Sequence, residues 1–176
     1  MRGFEIIFCT NIFNLLSQEI VYNIILVPHA GTKAGDKALA HAIHIAKSSS
    51  SKIILLHVIV DFPHIPVFAL HPSQASKIKK EIVMITKDMK ASMEKEMEKR
   101  VEICKKNGIK SFSKVVTGLP AEEILKIVKN QKIDLVVMAK RKKLKGIRSL
   151  LSLGSISRKI IENTSCPVLM IDIEKK

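Results

Sequence analysis

Tryptophan is absent from this chain, tyrosine occurs once, and aromatic residues make up only 4% of it. Readers of single-stranded nucleic acid stack bases on such rings, so the scarcity counts against that class. Cysteine is also sparse. Cys9, Cys104 and Cys166 are odd in number, far apart and form no CxxC pair. This supports neither a disulfide framework nor a zinc site, and it fits a reducing compartment, so a cytoplasmic location is expected. No apolar run reaches the roughly 20 residues that span a bilayer, and no membrane association is expected. Acids are few against bases: 16 Asp plus Glu face 30 Lys plus Arg, a formal charge of +14 over 176 residues. Such a surface favours anionic partners.

What is present is an α/β alternation. Hydrophobic residues make up 47% and charged residues 26%, the balance of a globular domain. "NIILVPH" (23–29), "SKIILLHVIV" (51–60), "IKSFSKVVTG" (109–118), "IDLVVMA" (133–139) and "PVLMIDI" (167–173) read as five strands. Between the first two, Ala38, Ala42, Ile45 and Ala46 form one helical stripe over 32–48. "DFPHIPVFALHPSQ" (61–74) has three prolines and reads as a loop. The spacing of Ile78, Ile82, Ile85, Met89, Met93, Met97, Val101 and Cys104 predicts a long buried-face helix over 78–107, capped at Asn107–Gly108. Pro120, with Glu122 and Glu123, opens a helix to about Asn130, and a last one covers Ser155 to Asn163.

Continuous apolar strands between amphipathic helices imply an open five-stranded parallel sheet with helices on both faces, a Rossmann-like or flavodoxin-like α/β fold. Ligands of such sheets sit at the carboxyl ends of the strands, where strand order reverses. One domain is expected over residues 21–176. Residues 1–20, "MRGFEIIFCTNIFNLLSQEI", lack the clean apolar segment and small-residue cleavage site of a signal peptide. They are read as an extension that either packs on the domain or lies outside the native chain. Truncation at Val21 is expected to leave the fold intact.

Four stretches carry a family resemblance: "NIILVPHAGTKAGDKAL", "IILLHVIV", "VVTGLPAEEILKIVKNQKIDLVVMA" and "LLSLGSISRKIIENTSCPVLMI". Together they resemble the universal stress protein (UspA-like) family over Tyr22 to Ile173. The resemblance implies an adenine nucleotide alpha hydrolase-like sheet and a homodimer joined through the last strand. It also implies ATP or another adenine nucleotide as ligand. The family's phosphate loop has the form G-x2-G-x9-G-[ST]. Gly154–Ser155, with Ile156 following, match its end. Counting back from Gly154 puts Arg141 and Leu144 at the earlier glycines; counting from the strand end puts Ala139 and Lys142 there. Neither register holds a glycine pair. At the first strand the family pattern P-x-D-G-S meets Pro28-His29-Ala30-Gly31-Thr32, so Ala30 replaces the acid. Val58 still suits the family's adenine-side contact.

Glycines in a phosphate loop let backbone N–H groups approach an anion. Lys140, Arg141 and Lys142 fill that space with charged side chains instead, and the helix amino end at Gly154–Ser155 remains. Side chains are therefore expected to stand in for backbone as phosphate ligands, giving weak or altered ATP binding. The alternative is an interaction protein whose basic loop docks on a protein or nucleic acid. A solvated loop without a ligand is the plainest option. His29, at the end of the first strand, is either a ligand-facing donor or a strand-end polar group. His41 and His44 lie three apart on a helix, with no acid or cysteine clearly beside them, so no metal is expected. His57, His64 and His71 read as core and loop residues. No G-x-S-x-G elbow, nucleophile with a base, or carboxylate pair supports catalysis, so binding rather than turnover is expected.

Overall fold

A computed structural model describes residues 20–60, 72–140 and 154–172. The sheet has five parallel strands: β1 (Ile24–Pro28), β2 (Lys52–Val60), β3 (Ser111–Gly118), β4 (Leu135–Ala139) and β5 (Val168–Ile171). Helices α1 (Lys33–Ser49), α2 (Pro72–Lys106), α3 (Pro120–Asn130) and α4 (Ser155–Asn163) connect them in the expected order. The strand order β3-β2-β1-β4-β5 is the Rossmann arrangement rather than the flavodoxin one. It reverses between β1 and β4. Their ladder is short, pairing Ile25 with Leu135 and Leu26 with Val136, whereas β1 pairs β2 over its whole length.

Strand residues alternate between two cores. Ile25, Val27, Leu55 and Val137 meet α1 and the inner end of α2 through Ala38, Ala42, Val101 and Cys104. Leu26, Ile54, Leu56 and Val136 meet α3 and α4 through Ile124, Ile127 and Ile160. This double burial explains why the strands carry apolar residues at successive positions. At the amino edge, the Asp134 carboxylate accepts from the backbone N–H groups of Asn23 and Ile24, at 2.8 and 2.9 Å. That fixes the start of β1 beside β4. Gly108 ends α2 in the left-handed region (φ 78°), and the Ile109 N–H reaches back to the Cys104 carbonyl. Burial also pushes the Cys104 thiol pKa up.

Two expectations about α2 need correction. It begins at Pro72, not Ile78, so the end of the proline-rich stretch is helical. Proline lacks the N–H that a first turn would leave unpaired, which suits it to a helix start. The expected stripe is also buried only at its inner end. Met97, Val101 and Cys104 are buried, while Ile85 and Met89 are exposed. The reason is length: 35 helical residues run about 52 Å, against about 30 Å for the nine residues of β2. Outer turns of α2 therefore pass beyond the strands that would cover them. Residues 1–19, residues 61–71 with His64 and His71, and Arg141 and Lys142 lie outside the described residues.

Candidate functional site

The carboxyl ends of β1 and β4 flank the point where strand order reverses. Pro28 is half-buried there, Ala30 is exposed, and Ala139 and Lys140 are half-buried. Val58, near the end of β2, is half-buried against the α3–α4 core. Gly154 precedes α4 with no side-chain cap, Ser155 and Ile156 are exposed, and no acid occupies the first turn. The topology thus brings the expected residues among those described to one edge of the sheet. Lys140 is less free than expected. Its Nζ lies 3.4 Å from Asp172 Oδ2, and its backbone N–H donates to the Ile171 carbonyl. Two shallow grooves, beside Lys126 and Asn163 and beside Gly108 and Lys110, lie away from this edge.

His29 is not an open cleft residue. It is 2% exposed, and its ring is bonded on both nitrogens. Nδ1 accepts from the Gly31 N–H at 3.0 Å, so it carries no proton. Nε2 must then hold the proton, which it donates to Asp36 Oδ1 at 3.1 Å. Arg100 Nε donates to the same carboxylate oxygen at 2.8 Å, and its Nη1 donates to Glu96. The 3.3 Å approach of Arg100 Nε to His29 Nε2 then joins two donors, so it is a contact and not a hydrogen bond. Burial first, and the Arg100 charge second, push the His29 pKa down; Asp36 partly opposes this. The ring is therefore neutral. His57 Nδ1 donates to the His29 carbonyl at 2.7 Å, which holds the strand end from the other side.

Asp36 and Arg100 were not among the expected site residues. Two signals pointed to them. Arg100 falls between Met97 and Cys104 on the buried stripe of α2, where a charge demands a partner. Gly35 sits inside α1, where glycine is unfavourable without a packing reason. The reason is His29: a Cβ on Gly35 would lie 2.7–2.8 Å from three ring atoms. His41 and His44 are exposed, and among the described residues no cluster of three or more potential metal ligands occurs. No described helix is long and apolar enough to cross a membrane.

Comparison with known proteins follows the same lines. The model of the universal stress protein family matches residues 22–172. Universal stress protein MJ0531 of Methanocaldococcus jannaschii is 28% identical over 158 residues, 90% of this chain and 86% of that protein. The solved structure of MJ0577, from the same organism, superposes with a TM-score of 0.71 at 22% identity, covering 89% of this chain and 100% of that one. A universal stress family protein of Arabidopsis thaliana, solved with AMP bound, gives 0.53 at 22% identity, covering 85% and 90%.

The ring packing makes Gly35→Ala destabilising. Helix propensity alone would stabilise the variant by about 1 kcal/mol. Displacing the buried ring costs more, so chemical denaturation should show a net loss of about 1–2 kcal/mol. A more stable variant would contradict this packing. The lowered His29 pKa sets a pH dependence. The folded state resists protonation, so its contribution is complete above the ordinary histidine value of 6.5 and is lost as pH falls through the lower folded value. Stability should therefore fall below pH 6.5, and His29→Asn, which cannot titrate, should fall less steeply over the same range.

Proposed function

The chain belongs to the universal stress protein family, and from that premise we propose that it is a binding module for a nucleotide-like anionic ligand, serving regulation or protection rather than turnover. The observation that carries this is the open amino end of α4. Gly154 offers no capping side chain and the first turn no acid, so backbone N–H groups and the positive end of the helix dipole remain available to an anion. This end follows β4 at the reversal of strand order, where ligands of such sheets bind. The AMP held by the Arabidopsis relative supports a nucleotide as the ligand.

The proposed site comprises Pro28, the His29 backbone, Ala30, Val58, Ala139, Lys140, Arg141, Lys142, Gly154, Ser155 and Ile156. Ala30 is exposed and carries no acid for a ribose or a metal, so recognition falls on the phosphates and needs no metal. Lysine and arginine side chains attract them by charge, each exposed contact adding about 1 kcal/mol or less. Binding is then weak, salt-sensitive and indifferent to the base. One observation favours the second reading, a basic loop that docks on a protein or nucleic acid. Lys140 is already paired with Asp172, which leaves less charge at the strand end for a small anion.

Calorimetric titration separates the two. Wild type should bind ATP, GTP and tripolyphosphate within a few-fold of one another, and more weakly as salt rises. Changing Lys140, Arg141 and Lys142 together to Gln should abolish the heat. A wild type silent to all three, yet showing salt-sensitive binding to an oligonucleotide, would favour docking. Tight, salt-insensitive, ATP-selective binding would overturn both.

The homodimer is proposed through β5. This strand ends the sheet, and Val168, Leu169 and Met170 are only half-buried, an apolar edge of the kind that proteins pair or cover. Leu169→Pro should yield a monomer by light scattering. A folded variant that stays dimeric would remove the assignment.

A further inference from the structure

Helix α2 and the loop after β1 touch at two places, two helical turns apart. Arg100 reaches Asp36 and lies against His29. Met93 lies so close to Gly31 that a Cβ there would sit 3.0 Å from its Cε. Gly31 has φ +72°, a conformation that only glycine adopts without strain. Its N–H is held by His29 Nδ1. The chain of contacts is continuous: Glu96 to Arg100, Arg100 to Asp36, Asp36 to the His29 ring, and the ring to Gly31. Ala30, where the family pattern carries its acid, lies between the two ends of that last bond.

We propose that Asp36 and Arg100 are positioning residues for the ligand loop: through the His29 ring they fix the turn at Ala30–Gly31, and so couple the seating of α2 to the ligand site. The inference rests on the reading above that this loop borders an anion site. Physically, the Arg100 charge keeps Asp36 in place, and Asp36 selects the ring tautomer that leaves Nδ1 free to accept. Losing either residue frees the ring to turn, and the Gly31 N–H loses its acceptor. The loop then samples other conformations, and the ligand must select the bound one at a cost in affinity. Among the described residues, Glu96 on α2 and His57 on β2 are further titratable groups around the ring and its partners.

Charge alone makes a different prediction, which allows a decisive test. Asp36→Ala makes the protein more positive, and Arg100→Met makes it less so. A purely electrostatic role would strengthen binding of inorganic tripolyphosphate in the first variant and weaken it in the second. Positioning weakens it in both, by on the order of tenfold. Arg100→Lys keeps the charge but not the two-sided reach to Asp36 and Glu96, so it should fall between wild type and Arg100→Met. Amide exchange supplies the second readout. The Gly31 N–H should exchange about tenfold faster in Asp36→Ala and Arg100→Met. The Ile24 N–H, held by Asp134, should not change and so reports that each variant is folded. Unchanged Gly31 exchange in both variants, or opposite effects on tripolyphosphate affinity, would overturn the proposal. Should wild type bind no tripolyphosphate, the anion-site reading fails, and Gly31 exchange alone decides whether the two residues position the loop.

Discussion

A neutral imidazole has one donor and one acceptor, and the carboxyl end of β1 uses both. His29 accepts from Gly31 and donates to Asp36, so the ring can neither gain a proton nor change tautomer without breaking a bond. The rest of the site follows from that constraint. The ring needs a flat bed, and Gly35 supplies it by having no side chain. Asp36 needs a counter-charge that burial does not remove, and Arg100, only 13% exposed, provides it. Gly31 needs a left-handed backbone to aim its N–H at the ring. Two helices and a strand are joined at one point by polar contacts, beside a core of aliphatic packing.

This arrangement changes what the ligand edge is made of. The family pattern places an acid after the first strand; here Ala30 leaves that position bare. The nearby carboxylate, Asp36 of α1, is turned toward the end of β1 and toward α2, and is shared between His29 and Arg100. At β4, glycines are replaced by basic residues, and the one described, Lys140, is drawn to Asp172. Of the phosphate loop that the proposed function invokes, the described part is the helix amino end at Gly154–Ser155. Backbone geometry holds an anion at fixed points, whereas flexible side chains hold it by charge. Under the proposed function, binding would answer to how many charges a ligand carries more than to which base it bears.

The fold was legible because local rules agreed with the global one. Apolar runs such as Ile53–Leu56 mark strands buried on two faces, and Gly108 and Pro120 mark helix ends by their backbone requirements. The crossover helices also indicated parallel pairing, but the strand order stayed open between the Rossmann and flavodoxin arrangements. The outer turns of α2 misled the reading. Ile85 and Met89 keep a buried-face period, yet both are exposed among the described residues. Periodicity shows that a face exists; it does not show that something covers it. The His29 network was hidden for another reason. Arg100 lies 64 residues from Asp36 and 71 from His29, and no local pattern encodes a pairing at that separation. Its traces, a glycine inside α1 and an arginine on an apolar stripe, had meaning only once the helices were placed side by side.

The direct test of this account is the protonation state of one ring. Nitrogen-15 spectra of imidazole-labelled protein resolve the tautomer and its titration. The account predicts that His29 is neutral at pH 7 with its proton on Nε2. It also predicts that the ring stays neutral as pH falls through 6.5, the ordinary histidine value. A ring with its proton on Nδ1, or one that titrates at or above 6.5, would contradict the hydrogen bond from Gly31 and the coupling built on it.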